Sequence, residues 1–318
     1  MTRIALSRSW LAVVAALLSF NLCLAQLQTA SARPAVPVEP VDAVLDAFQA
    51  HSLVALGEPH RNEQAHAMRV ALLRDRRVAN VIDDIVVEFG SARYQGVIDR
   101  FVRGEQVPDE VLRQVWQNTT QGHTVWDVPI YEEFFRVVRD VNRKLPAEDR
   151  LRVLLGDPPT DWENVRSWQD VLRPMADYNR DRYPADLIQR EVLAKDRRAL
   201  IIYGDGHLWR DAGFPTLANL LLSFSKGRLF TIASSTFADL EVVQPDVASW
   251  RAPSIATVQG TVLGVKEFQH YFPVPPGAAD RWRSVRYKTN STRSRTTDPG
   301  RRLLTPRCRR RSAQTPRT

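Results

Sequence analysis

The sequence predicts an α/β protein with a mainly parallel sheet, helices on both of its faces and an active crevice at the carboxyl ends of the strands. Three observations lead to this fold class. Short apolar runs rich in β-branched residues recur along the chain, segments with helical spacing separate them, and several runs end at a glycine beside an acidic residue or a histidine. Strands that alternate with helices form parallel sheets, and such sheets bind ligands at the carboxyl ends of their strands.

Five strands are predicted, each of them a short apolar run bounded by turn residues or charged residues. An edge strand within residues 255–263 is a further candidate. In chain order, the five predicted strands are Val54–Leu56, Asp84–Phe89, Leu151–Leu155, Ala199–Tyr203 and Leu229–Ser234.

Helices are predicted between these strands, because apolar residues recur there at helical spacing and Ser91 can cap one of the helices. Residues 111–131 are rich in Trp, Gln and Thr, lack that spacing, and are interpreted as an insertion that covers the crevice. The predicted helices are residues 41–49, 58–73, 91–102, 132–144 and 213–224, with further helical sequence over 162–194.

The chain divides by composition into four parts. Arg3 and Arg8 precede an apolar run and a cleavage site at Leu24-Ala25, which is the pattern of a signal peptide; an uncleaved anchor is the alternative. We therefore expect a secreted or periplasmic protein. The four parts are a signal peptide over 1–25, a proline-containing linker over 26–40, a single α/β domain over 41–280 and a basic, disordered tail over 281–318.

The net charge of +8 comes from the tail. Residues 281–318 carry thirteen Arg and Lys against one acid, a net charge of +12, whereas residues 1–280 carry 31 basic and 35 acidic side chains. No nucleic-acid partner is therefore expected for the folded domain. The tail is expected to contact anionic surfaces, with binding that weakens as the salt concentration rises.

Several chemistries lack the residues that they need. The two cysteines are Cys23 and Cys308, so residues 26–280 offer no disulfide, no thiol nucleophile and no thiolate metal ligand. The pair Gly204-x-Gly206 could begin a dinucleotide-binding loop, but Trp209 stands at the third glycine position. The sequence also has no P-loop lysine and no Gly-x-Ser-x-Gly nucleophile motif.

Five ionisable residues lie within a few positions of the carboxyl end of a predicted strand. Two imidazoles and two or three carboxylates in one crevice can hold a water between a base and an acid, and the same set could bind a divalent metal. For Asp157 alone, capping of the following helix is the competing interpretation. The five candidates are Glu58, His60, Glu88, Asp157 and His207.

Three further residues are weaker candidates for binding. His66 lies six residues after His60, nearly on the opposite face of a helix, and either supports the site from behind or is simply packed. Arg61 and Arg93 follow the first two strand ends closely and could stabilise an oxyanion. The histidines that we expect to be structural are His51, His123 and His270.

Three motifs resemble the superfamily that includes the erythromycin esterases, the ChaN-type haem-binding proteins and the Tiki proteases. The motifs are LGEPHRNEQAH at 56–66, VVEFG at 86–90 and YGDGHLWRDAGFP at 203–215, and the resemblance covers roughly residues 54–234. The Gly-Glu-x-His spacing and the Gly-x-Gly-His followed by Gly-x-Pro are similar to the ChaN branch. Erythromycin esterases usually place one more residue before the histidine of the first motif.

The resemblance implies two different functions. In the esterase branch, acids and histidines activate water without a metal; His60 would be the general base, Glu58 and Glu88 would orient it, and His207 would complete the site. In the ChaN branch, the implied role is to bind haem or iron at the same face. We expect a hydrolase that acts on a small ester or amide without a cofactor, with a haem- or iron-binding protein as the alternative. A third interpretation, a degenerate member with a structural role, is opposed by the intact acids and histidines.

Overall fold

The computed structural model describes residues 33–121, 125–167, 169–170, 180–210, 215–235 and 247–264. The predicted signal peptide, residues 26–32 of the predicted linker and the basic tail lie outside these residues, as do His123 and His270. Within the described ranges, no helix combines the length and the apolar character that a membrane crossing requires.

The centre of the fold is a sheet of five parallel strands in the order β4-β3-β5-β2-β6. Strand β5 comes late in the chain but lies between the two earliest strands of this sheet. Its residue Ile202 pairs with Leu56 on one side and with Val87 on the other. The strands are β1 (Pro37–Val38), β2 (Leu53–Gly57), β3 (Asp84–Ser91), β4 (Arg152–Asp157), β5 (Ala199–Tyr203), β6 (Leu229–Ile232) and β7 (Ile255–Ala256).

Helices cover both faces of the sheet, and side chains that alternate along each strand form two separate apolar layers. In β2, Val54 and Leu56 pack in the layer of helices α1 to α6, whereas Leu53 and Ala55 pack in the layer of α7 and α9. The helices are α1 (Pro40–Ala50), α2 (Glu63–Arg74), α3 (Arg76–Ala79), α4 (Gln95–Arg103), α5 (Asp109–Gln117), α6 (Pro129–Asn142), α7 (Arg182–Glu191), α8 (Asp205–Leu208) and α9 (Leu217–Ser225).

The predicted fold class is confirmed, since all five predicted strands form one parallel sheet between two helical layers. The first crevice helix begins at Glu63 rather than at Glu58, because residues 58–62 form a turn and the Asn62 side chain caps α2 by accepting a hydrogen bond from Ala65 N at 2.8 Å. The predicted edge strand is not part of the central sheet: β7 pairs antiparallel with β1, inside the segment predicted as a linker. Residues 111–117, interpreted as irregular, belong to α5.

An ion-pair cluster ties three strands together at their amino ends. Asp84, the first residue of β3, is fully buried. It accepts hydrogen bonds from Arg152 Nε of β4 at 2.8 Å and from Arg197 Nε, just before β5, at 2.7 Å. The cluster therefore fixes β3 to both of its neighbours at the amino ends of the strands, whereas the candidate site lies at their carboxyl ends.

We predict that Asp84→Asn lowers the free energy of unfolding by about 2–3 kcal/mol, because two guanidinium groups lose their carboxylate. The loss should stay below the about 3–5 kcal/mol of a fully buried pair, since the Arg152 and Arg197 side chains are 32% and 31% exposed. Urea unfolding followed by circular dichroism measures this difference. The matched control is Asp83→Asn, one residue earlier and only partly buried, which should cost less than about 1 kcal/mol. Equal losses in the two variants would contradict the prediction.

Candidate functional site

The end of β2 supplies the first part of the site. The chain turns immediately after Gly57, and the Glu58 backbone N–H donates to Tyr203 O of β5 at 2.8 Å, so Glu58 is held beside the end of that strand. Its side chain is buried. His60 follows in the same turn, and its Nδ1 donates to Glu58 Oε2 at 2.5 Å. The predicted carboxylate–imidazole pair is therefore present.

Two side chains hold the other oxygen of Glu58. The Tyr131 hydroxyl of α6 donates to Glu58 Oε1 at 3.2 Å, and Arg69 Nη2 of α2 lies 3.3 Å from the same oxygen. The Tyr131 hydroxyl also accepts a hydrogen bond from the backbone N–H of Arg61 at 3.0 Å. Because Oε1 has these partners, Oε2 is left to His60.

His60 keeps one side open. Its side chain is 33% exposed, and its ring meets the Trp126 ring edge-on, with centroids 4.5 Å apart. Burial alone would lower the pKa of the His60 imidazole, but the hydrogen bond to Glu58 and the charge of Glu88 outweigh it and raise that pKa above its ordinary value. With Nδ1 bound to Glu58, Nε2 is the atom that can meet a ligand.

Glu88, near the end of β3, is the second carboxylate of the site and is also buried. Its Oε1 forms an ion pair with Arg180 Nη2 and lies 3.2 Å from His207 Nε2, while its Oε2 accepts a hydrogen bond from Gly204 N at 2.7 Å. Burial would raise the pKa of the Glu88 carboxyl, but His207 and Arg180 outweigh it and lower that pKa to about 2. Glu88 is thus ionised throughout the physiological range.

His207, three residues beyond Gly204 after β5, has both ring nitrogens engaged. Nδ1 lies 2.7 Å from Asp181 Oδ1 and Nε2 lies 3.2 Å from Glu88 Oε1. Asp181 Oδ1 also accepts a hydrogen bond from Leu217 N at the start of α9, at 2.7 Å. Burial would lower the pKa of the His207 imidazole, yet Glu88 and Asp181 raise it to about 9. His207 is therefore an imidazolium at neutral pH.

The His60 and Glu88 side chains converge at Gly204. A Cβ atom built on Gly204 would lie 2.8 Å from His60 Cε1, 3.0 Å from Glu88 Oε2 and 3.4 Å from His60 Nε2. Any other residue at this position would therefore displace one of the two side chains. The glycine of the Gly-x-Gly-His motif is required here by close approach.

Asp157, at the end of β4, borders the same cluster. It accepts hydrogen bonds from Thr120 N at 2.7 Å and from the Thr120 hydroxyl at 2.5 Å, and Arg180 Nε lies 3.7 Å from its Oδ1. Burial raises the pKa of the Asp157 carboxyl to about 7, although the bonds from Thr120 oppose the shift. The competing interpretation, that Asp157 caps the next helix, is not what the contacts show.

The structure does not bring the three weaker candidates into this cluster. His66 Nε2 lies 3.1 Å from Glu133 Oε2, between α2 and α6, and burial lowers the pKa of its imidazole. Arg93 Nη2 lies 3.3 Å from Asp161 Oδ1 and 3.7 Å from Glu163 Oε2, and the Arg61 side chain is exposed.

His51, expected to be structural, donates from Nδ1 to Ala47 O at the end of α1, at 3.0 Å.

Four site residues were missed by sequence reasoning. Arg69 could have been found, because it is a charged residue on the apolar face of α2. It lies three residues after His66 and four before Leu73, which is helical spacing. The other three come from segments without a regular pattern or from a distant helix, and no local signal indicates them. These residues are Tyr131, Arg180 and Asp181.

The described residues do not form a metal centre, since no three His, Cys, Asp or Glu side chains among them are arranged to hold an ion. The cations in the cluster are instead side chains, namely Arg69, Arg180 and the protonated His207. The arrangement provides one open imidazole, two buried carboxylates and fixed positive charge, which are the components of general acid–base chemistry.

A protein-family model described as "Haem-binding uptake, Tiki superfamily, ChaN" matches residues 44–150, about a third of the chain. The matched segment includes Glu58, His60 and Glu88. The predicted resemblance is therefore confirmed for the ChaN branch; the match does not address a relation to the erythromycin esterases. A comparison with curated proteins gives no match.

Three solved structures are similar to this chain. One is a structure of ChaN of Campylobacter jejuni, described as showing cofacial haem binding. It shares 12% sequence identity with this chain and has a TM-score of 0.42 over 63% of this chain and 90% of that chain. The type III effector HopBA1 has 13% identity and a TM-score of 0.37, over 57% of this chain and 80% of that chain. The third structure is the C-terminal region of Pasteurella multocida toxin, which is described as having a thiol-protease like catalytic triad. It has 10% identity and a TM-score of 0.41, over 62% of this chain and 24% of that chain.

The raised pKa of His207 predicts a pH dependence of stability. A histidine whose folded pKa of about 9 exceeds its ordinary value of 6.5 stabilises the fold fully below pH 6.5, and this contribution is lost as the pH rises through 9. The contribution should be at most about 3 kcal/mol. The stability difference between the wild type and His207→Gln, measured by urea unfolding, should therefore shrink from pH 6 to pH 10. A stability difference that stays constant from pH 6 to pH 10 would contradict the prediction.

Proposed function

We propose that the chain is an exported hydrolase in which His60 activates water against a small ester or amide. The observation that carries this proposal is the convergence of His60 and Glu88 at Gly204, with Glu58 bound to the far side of the same imidazole. Export rests on the signal-peptide pattern of residues 1–25.

His60 is the general base of the proposed reaction. Glu58 keeps the proton on Nδ1, so the lone pair of the neutral ring is at Nε2, on the open side. A water beside Nε2 gives its proton to the ring while its oxygen attacks the carbonyl carbon. His60 then returns that proton to the alcohol or amine as the bond to the leaving group breaks.

Positive charge beside Glu88 is available to stabilise the negative oxygen that develops in the transition state. Arg180 and the imidazolium of His207 both contact Glu88 Oε1 and are held there by further partners, Gln121 for Arg180 and Asp181 for His207. Fixed charges of this kind need no rearrangement during the reaction. His207 therefore acts as a cation in this mechanism and not as a second base.

Haem binding is the second candidate, and the match to the ChaN family model favours it. One residue of the site fits an iron ligand: His60 offers Nε2 on a partly exposed ring, and a carboxylate on Nδ1 orients the ring as it commonly does for metal-bound histidines. His207 fits less well, because both of its nitrogens face carboxylates. When bound, haem would supply an iron atom, and His60 would hold that iron through Nε2.

The haem candidate has its own test. Titration of the purified protein with haemin, followed by visible absorbance, should give a stoichiometric Soret band that His60→Ala removes and His207→Ala retains. A band unchanged in His60→Ala would reject this ligand assignment. If the wild type binds haemin in this way and turns over no ester or amide, binding replaces hydrolysis as the function.

We predict that His60→Ala lowers kcat about a hundredfold to ten-thousandfold against a panel of small esters and amides, while circular dichroism remains that of the wild type. His51→Gln, which changes a histidine outside the cluster, should keep full activity. Turnover at the wild-type rate in His60→Ala would reject the general-base role. Loss of wild-type activity on adding a chelator, with recovery on adding zinc or manganese, would replace the metal-free mechanism.

The pH profile gives a sharper test of the Glu58–His60 pair. Since the pKa of His60 is raised, kcat/KM should increase with pH through a value above 6.5 as the imidazole loses its proton. In Glu58→Gln the carboxylate that raises this pKa is gone, so the rising limb should move to lower pH while the maximum rate falls. A limb at the same pH in both proteins would contradict the pairing.

A further inference from the structure

The proposed mechanism does not use one buried carboxyl, which lies between the turn that carries His60 and the turn that carries His207. Asp205 follows Gly204, and its side chain is almost fully buried. Its Oδ1 accepts a hydrogen bond from Ser234 N, just beyond β6, at 2.7 Å. The same oxygen lies against the backbone at the end of β2, because a Cβ built on Gly57 would be only 2.1 Å from it.

These contacts hold one turn of the site against the other. Gly57 directly precedes Glu58 and the His60 turn, whereas Asp205 lies between Gly204 and His207. The spacing between the two turns is therefore set by a side chain that touches the ends of β2 and β6. A misplacement of about 1 Å in an active site can cost a hundredfold in rate, so such a spacer has catalytic consequences.

Asp205 is also linked to the site by charge. The charged groups that face it are Glu58 and His60, and its Oδ2 is buried without a hydrogen-bond partner among the described residues. Burial raises the pKa of the Asp205 carboxyl to about 7, and the negative charge of Glu58 acts in the same direction. Below that pH the carboxyl is neutral and still accepts the hydrogen bond from Ser234 N.

We propose that Asp205 is a positioning residue that holds the Gly204–His207 turn against Gly57 and Ser234 and thereby sets the distance between the turns that carry the two histidines. Its effect on rate rests on the proposed hydrolase function, whereas its effects on the two imidazoles do not. Asp205 acts through its neighbours and does not touch the substrate.

The test is an NMR titration of the full chain with isotope-labelled histidine, which reports each imidazole without any substrate. Asp205→Asn keeps an oxygen for Ser234 N, so the imidazole resonances of His60 and His207 should stay close to their wild-type positions. Asp205→Ala loses both contacts and should shift the resonances of both rings. Asp83→Asn, which changes a carboxyl at the amino ends of the strands, should leave the resonances of both rings in place.

Kinetics complete the test where the wild type turns over a substrate. Asp205→Ala should then lower kcat about tenfold with a smaller change in KM, whereas Asp205→Asn should keep most of the wild-type kcat. Wild-type resonances of both imidazoles in Asp205→Ala overturn the proposal. If that variant fails to fold, displaced resonances in Asp205→Asn, which keeps the oxygen for Ser234 N, overturn it instead. The expected imidazole shifts in a protein that hydrolyses nothing would reject the hydrolase function and support the positioning role.

Discussion

The ionised carboxylate of Glu88, buried where three strand ends meet, is the constraint on which the rest of the site depends. A buried charge without partners costs several kcal/mol, so its neighbours must supply positive charge and hydrogen-bond donors. They come from distant parts of the chain: a backbone N–H of Gly204, the imidazolium of His207 and the guanidinium of Arg180. The two side-chain partners, Arg180 and His207, each have a second contact of their own, so satisfying one carboxylate fixes the turn after β5 and residues 180–181 just before α7.

The two histidines of the site have different chemical capacities because their carboxylate partners are placed differently. His207 lies between Asp181 and Glu88, and with both nitrogens engaged it is a fixed cation. His60 is bonded to Glu58 through one nitrogen only and keeps its other edge accessible. Water activation and iron coordination both need an accessible lone pair, so both candidate functions depend on His60. What separates them is the surroundings: charged groups beside Glu88 favour acid–base chemistry.

Much of this arrangement could be predicted from the sequence, because it depends on local patterns. The apolar runs predicted the five central strands, and the polarity change at the end of each run indicated Glu58, Glu88 and Asp157. The contacts of Tyr131, Arg180 and Asp181 could not be predicted in this way. They join residues 26 to 92 positions apart, and no local period encodes which distant side chain will meet a buried carboxylate. For the same reason Arg93, close to a strand end in sequence, pairs with surface acids instead.

The place of β5 between β2 and β3 has a consequence for how the protein is made. During synthesis the ribosome releases β2 and β3 early, yet neither can pair with the other, since the gap between them is two strand spacings, roughly 10 Å. The edges of β2 and β3 that face each other in the sheet stay without partners until Ala199–Tyr203 has emerged, although the other edge of β3 can pair with β4 before then. These two facing strand edges therefore stay open for more than a hundred residues of translation, which makes the nascent chain prone to aggregation.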